Sequence, residues 1–164
     1  MPLVLNSSSI TGLAAVGGLS SPQTGSVIQV VSATTTTTAT VSNATFVDTT
    51  LTATITPTSS SSKILVLVSQ NGLKRLASGS SGDDIGIRLL RSATEIARPA
   101  QFATYTGSAS NQYGFSCSLS YLDSPATTSA TIYKTQMANP DGSGVVYTQG
   151  NNENSTITLL EIAA

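Results

Sequence analysis

The sequence predicts an all-β fold, a single antiparallel β-sandwich or jelly roll preceded by an extended amino-terminal arm. Three observations carry that reading. Within residues 112–122, Tyr113, Phe115, Cys117, Leu119 and Tyr121 share one parity, while Gly114, Ser116, Ser118 and Ser120 share the other. A period of two marks a strand with one buried face. Roughly a third of the residues are Ser or Thr, and Thr favours strands as Ser favours turns. From Val27 onward, short apolar runs alternate with turn-forming clusters at the spacing of a sandwich, and no stretch has the pattern of a ten-residue helix.

The chain divides into an arm, residues 1–25, and a sandwich domain, residues 26–164. The arm opens with the apolar head Met1-Pro2-Leu3-Val4-Leu5 and continues rich in Ser and Gly, with Ile10 and Leu13 among its scattered apolar residues. Leu3, Val4, Leu5, Ile10 and Leu13 are too dispersed to form a core. Each anchor supplies roughly 1.5–3 kcal/mol on burial, whereas each ordered residue costs about 1–2 kcal/mol of backbone entropy. The segment is therefore expected to lie on another polypeptide, as an assembly arm.

Strands are expected at 27–31, 41–47 and 51–56, the last ended by Pro57 and a polar turn over 58–62. The Thr run 34–38 is either a loop or the start of an edge strand. Residues 63–68, Lys-Ile-Leu-Val-Leu-Val, are apolar at both parities, the pattern of a central strand covered on both faces. Residues 71–83 carry Gly72, Gly79 and Gly82 and read as a long loop. Ile85, Ile87 and Leu89 alternate with Gly86, Arg88 and Leu90, and Ser92-Ala93 turns the chain into a strand over 94–97. A second long loop runs from Pro99 to Asn111. Further strands follow at 112–122, 131–137, 145–148 and 156–162, separated by Asp123-Ser124-Pro125, the 139–144 turn and 150–154.

Composition narrows the function. Charged residues are 9% of the chain, against about 25% in an ordinary domain, and the net charge is −1. So little charge gives weak protection against self-association, and an obligate oligomer or an assembly is expected. Seven basic residues balanced by eight acidic ones, with no basic stripe, argue against a nucleic-acid partner. No apolar run approaches the roughly 20 residues that span a bilayer, and no basic region precedes the apolar head as a signal peptide requires. The single Cys117 cannot form an internal disulfide, and on the apolar parity of its strand it serves as a small hydrophobe.

Chemistry is sparse. The chain has no His, which removes His-based nucleophilic triads and the commonest metal ligand. With one Cys besides, no zinc or iron–sulfur site, no other metal and no cofactor is expected, and no enzyme. Ser60-x-x-Lys63 has the serine–lysine spacing but enters a strand rather than a helix. Asp83-Asp84 would face opposite sides of a strand, unlike a glycosidase pair, and reads as loop solvation or a weak cation contact. Asp141-Gly142-Ser143-Gly144 lacks the further oxygen ligands of a calcium loop. Asn6, Asn43 and Asn154 begin sequons of the kind that chance supplies in a Ser/Thr-rich chain. Surfaces remain. Lys74, Arg75, Phe102 and Tyr105 are the candidate surface-binding residues, on the two long loops, where sugar or protein recognition is commonly built.

Several segments resemble a widespread family of bacteriophage virion proteins found in phages of cyanobacteria and other aquatic bacteria. They are Gly25-Ser26-Val27-Ile28-Gln29-Val30-Val31, Ile55-Thr56-Pro57-Thr58-Ser59 and Ser62-Lys63-Ile64-Leu65-Val66-Leu67-Val68. The likeness continues with Ile87-Arg88-Leu89-Leu90-Arg91, Ser120-Tyr121-Leu122-Asp123-Ser124-Pro125 and Ser155-Thr156-Ile157-Thr158-Leu159-Leu160-Glu161-Ile162. It covers roughly residues 25–164 in order. The resemblance implies a trimeric β-sandwich on the virion, as in a tail fibre whose partners are baseplate, fibre or capsid subunits and whose loops meet host glycan or protein. The short amino-terminal segment, where many relatives carry a long stalk, brings in a capsid cement or decoration protein as the alternative.

Overall fold

The computed structural model describes residues 22–75, 84–101, 113–140, 142 and 144–164. Ten strands account for most of them: β1 (Val27–Thr35), β2 (Ala39–Val41), β3 (Val47–Ile55), β4 (Lys63–Arg75), β5 (Gly86–Arg91), β6 (Thr94–Ala100), β7 (Tyr113–Asp123), β8 (Thr131–Ala138), β9 (Val146–Thr148) and β10 (Ser155–Ile162). They form two antiparallel sheets. One runs β1-β10-β4 with β7 on the far side of β4; the other runs β3-β8-β5-β6. Setting aside the short β2 and β9, the eight long strands interleave as 1-8-3-6 and 2-7-4-5, the double Greek key of a jelly roll. The expected all-β sandwich is the observed fold.

Strand β4 organises the first sheet. One of its edges pairs with β7 along almost its whole length, from Ile64↔Asp123 to Arg75↔Tyr113. Its other edge pairs first with β10, over residues 63–69, and then with β9 at Lys74 and Arg75. The change of partner happens at a bulge between Gln70 and Leu73. Gly72 makes the bulge feasible. Its φ is +61°, and a Cβ there would stand 2.5 Å from the Gly150 nitrogen and 2.9 Å from the Gln149 carbonyl carbon. Only Gly tolerates both the left-handed backbone and that approach.

The core lies between the sheets in two apolar clusters. One gathers Leu51, Ile55, Ile64, Val66, Leu89, Tyr133, Ile157 and Leu159; the other gathers Val41, Leu73, Ile85, Ile87, Met137 and Val146. Between them runs a buried polar belt. Along β3, Thr49 separates Leu51 from Val47; along β4, Gln70 separates Val68 from Leu73; along β8, Thr135 separates Tyr133 from Met137. Thr49 donates to Thr135 Oγ1, which donates to Gln70 Oε1 at 2.8 Å, and Gln70 Nε2 donates to Ser155 Oγ at 3.3 Å. With its amide turned so that both ends find partners, Gln149 closes the belt, donating to the Thr37 and Thr49 carbonyls at 3.2 and 3.1 Å and accepting from Ser155 Oγ at 2.9 Å. Buried polar groups cost little only when paired in this way.

Two side-chain clamps tie the layers together at one end. Tyr133 on β8 donates to Asp123 Oδ2 at 2.7 Å, and Arg91 Nη1 on β5 donates to both Asp123 oxygens at 2.9 and 3.0 Å. Burial and the Asp123 carboxylate together push the Tyr133 hydroxyl pKa far up. Glu161 closes the same end. Its Oε1 accepts from Thr58 N at 2.7 Å and Thr58 Oγ1 at 2.8 Å, fastening the β3–β4 turn.

The strand over 113–123 alternates as its sequence predicts. Leu119 and Tyr121 pack on the first cluster and Phe115 and Cys117 on the second, while Ser116, Ser118 and Ser120 are exposed. Burial raises the Cys117 thiol pKa, in keeping with an inert filler. Four expectations change. No strand spans 41–47, because the chain turns at Asn43, whose Oδ1 accepts from Thr45 N at 2.9 Å. Residues 71–75 belong to β4 rather than a loop. Asp84 is buried rather than solvated: its Oδ1 accepts from Ile85 N at 2.8 Å. And β4 is central, yet among the described residues only its Ile64–Val66–Val68 side is covered.

Candidate interaction surfaces

The outward sides of the two sheets differ in chemistry. On the β1-β10-β4-β7 sheet, registers align the outward residues in rows. Val30, Leu160, Leu65 and Leu122 stand opposite one another across four strands. The next row is Ser32, Thr158, Leu67 and Ser120, and the next Thr34, Thr156, Ser69 and Ser118. Val30 is 58% exposed, Leu122 53% and Leu67 39%. These three rows contain no charged residue; Lys63 flanks the apolar row at the strand end, where its Nζ donates to Ser124 Oγ at 3.3 Å.

The outward side of the β3-β8-β5-β6 sheet is a ladder of paired charges. Lys134 and Gln136 on β8 donate to Asp48 on β3 at 2.9 and 2.7 Å. Gln136 Oε1 accepts from Arg88 on β5 at 2.6 and 3.0 Å, and Arg88 reaches Glu95 on β6 at 3.1 Å. Arg98 grips Glu95 with two bonds of 2.8 Å. The Phe46 ring lies under both guanidiniums, 4.1 Å from Arg88 and 5.2 Å from Arg98. Arg98, with Arg88 behind it, holds the Glu95 carboxyl below its usual pKa. At Asp48, burial acts to raise the pKa, but hydrogen bonds from Gln136 and Lys134 outweigh it and lower the value. Beside the ladder is an open hollow of about 520 Å³, lined by Asp48, Thr50, Thr52, Ala93, Ile132 and Lys134 among others. Thr50 reaches into a left-handed φ of +66° there, held by its hydroxyl's bond to the Thr37 carbonyl at 3.1 Å.

Of the residues singled out from sequence, Leu3, Val4, Leu5, Ile10, Leu13, Phe102, Tyr105 and Asp83 lie outside the described residues. Lys74 and Arg75 are brought together only in sequence. Lys74 is partly exposed and 3.8 Å from Glu153. Arg75 is fully buried, which withdraws it as a surface-binding residue: consecutive residues of a strand face opposite ways. Sequence reasoning missed Phe46 and its two arginines. The signal was present in the β5–β6 hairpin, where Arg88, Arg91, Glu95 and Arg98 are four charges in eleven residues of a chain poor in charge.

Among the described residues, no three His, Cys, Asp or Glu side chains gather where they could hold a metal ion, and no helix is long and apolar enough to cross a membrane. Ser60 precedes β4 in a turn, so the Ser60–Lys63 spacing does not open a helix. A scan against models of protein families finds no match for the chain, and no curated protein matches it.

Proposed function

We propose that this chain is a structural subunit of a bacteriophage particle: a short tail-fibre subunit that self-associates as a homotrimer, attaches to other virion proteins through residues 1–25 and turns its loops to the host surface. One observation carries the reading. A jelly roll with a ladder of paired charges on one side leaves three rows across the opposite side uncharged and partly apolar, a design for contact rather than for chemistry. The segments that resemble phage virion proteins support the same reading. They include β10 whole and the first half of β4, the strands that carry the uncharged rows.

The jelly roll is also a capsid architecture, so a decoration protein fastened to the phage head is the second reading. Gold-labelled antibody against the chain, applied to purified particles under the electron microscope, separates the two. Label at the tail is expected; label over the head establishes the second reading, and particles without label overturn both.

A further inference from the structure

We propose that the outward face of the β1-β10-β4-β7 sheet is the contact between copies of this chain, with Val30, Leu65, Leu67, Leu122 and Leu160 at its centre. The proposal rests on the self-associating reading above and adds to it the surface. The first ground is a mismatch between β4's sequence and its surroundings. A strand apolar at both parities belongs between two covered faces. Here Ile64, Val66 and Val68 are covered by the opposite sheet, while Leu65 and Leu67 point outward, with Leu67 39% exposed. Neighbouring strands place Val30, Leu160 and Leu122 in register beside Leu65, so the uncovered residues form one row across the sheet rather than scattered spots.

The second ground is what such a face can accept. The three rows hold no charge to meet a phosphate backbone and no aromatic ring on which a sugar could stack. A partner with a charged surface would lose hydration there without gaining an ion pair. A second copy of the same face brings aliphatic groups to aliphatic groups, and hydroxyls that pair among themselves, as Ser32 and Thr158 already do at 3.1 Å. The small Ser and Thr side chains let two backbones approach closely. Size is adequate: four strands about 4.8 Å apart and about nine residues at 3.3 Å each span roughly 19 by 30 Å, the scale of a standard interface of about 800 Å² per partner once side-chain relief is counted.

The test is the mass in solution of the full chain and of full-chain variants, by light scattering at tens of micromolar. The wild type is expected at three times 16.7 kDa, and Val30→Lys with Leu122→Lys at 16.7 kDa itself. Both side chains are more than half exposed, and a circular-dichroism spectrum unchanged from wild type establishes that the variant folds. Should the double lysine variant fail to fold, Val30→Thr with Leu122→Ser takes its place, with at least a tenfold weaker association expected. Ile132→Lys, at an apolar site 44% exposed on the opposite sheet, is expected to leave the assembly intact. Assembly that survives the face variants overturns this contact while leaving self-association standing. A wild type that is monomeric overturns both. Dissociation by Leu3→Glu with Leu5→Glu as well as by the face variants would make the arm the occupant and overturn the face-to-face contact, and dissociation by Ile132→Lys would show that the effect is not specific to this face.

Discussion

The two sheets solve the same problem by different means. The β3-β8-β5-β6 sheet spends its outward positions on side-chain pairs, so Asp48, Lys134, Gln136, Arg88, Glu95 and Arg98 form one hydrogen-bonded chain across four strands. The β1-β10-β4-β7 sheet has no such ladder. Its integrity comes from backbone pairing along β4, from the packing behind it, and from fastenings at its ends: the bulge at Gly72 and the Glu161 clasp. The contrast teaches that scarcity of charge need not mean an absence of electrostatic design. Charge is concentrated where it is internally neutralised, and withheld from the three central rows of the other face.

If that contrast is right, substitutions should cost most at the backbone irregularity of the first sheet and least on the ladder of the second. Gly72→Ala is the most severe. The added Cβ meets backbone rather than a yielding side chain, in a conformation L residues avoid. A loss of about 3 kcal/mol or more is expected, which lowers Tm by roughly 6–12 °C for a domain of this size. A melting curve within a degree or two of wild type would break the comparison at its strongest point.

Glu161→Gln probes the end clasp. Burial acts to raise this carboxyl's pKa, but the neighbouring polar groups of Ser62, Thr58 and Ser59, with Thr58 donating to it twice, outweigh that, so the folded pKa lies below the usual 4.5. A depressed carboxyl pKa contributes stability that is complete above the unfolded value and disappears as pH falls through the folded one. Wild type should therefore exceed Glu161→Gln by about 1–2 kcal/mol at pH 7. The gap should begin to close below pH 4.5. Denaturant titrations across that range measure it; a gap independent of pH would remove the charge from the explanation.

Glu95→Gln, on the ladder, is expected to cost least, under about 1 kcal/mol, because its partners are partly exposed. The cost should shrink as salt is raised from 0.05 to 1 M. A larger loss, insensitive to salt, would mean that the ladder works as a buried network and would erase the distinction between the sheets.

Much of this was legible in advance, and the failures have definite causes. The 113–123 strand was readable because one face is apolar and the other small, so the pleat shows directly in the letters. The Ser92-Ala93 hairpin was readable from its turn chemistry; Ser92 takes a φ of +54°. Residues 71–75 were misread because Asn71-Gly72 is punctuation in either context, a loop or a bulge. The burial of Arg75 and Asp84 was hidden for a related reason: a charged side chain announces water unless its surroundings are known. The polar belt was invisible too. Thr49, Gln70, Thr135, Gln149 and Ser155 are distant in sequence and individually ordinary, and only their meeting makes them structural.

What could be read from the chain alone is periodic and local. The alternation of side chains and the turn residues set the fold class and most strand positions, because these depend on neighbours one to four residues away. Which of β4's two apolar sides is enclosed, where it exchanges β10 for β9, and which outward residues line up into an uncharged row depend on register between strands up to about 130 residues apart, as at Val30 and Leu160. Register is a property of pairs of strands rather than of any one, and a slip of a single residue would send every side chain to the other face.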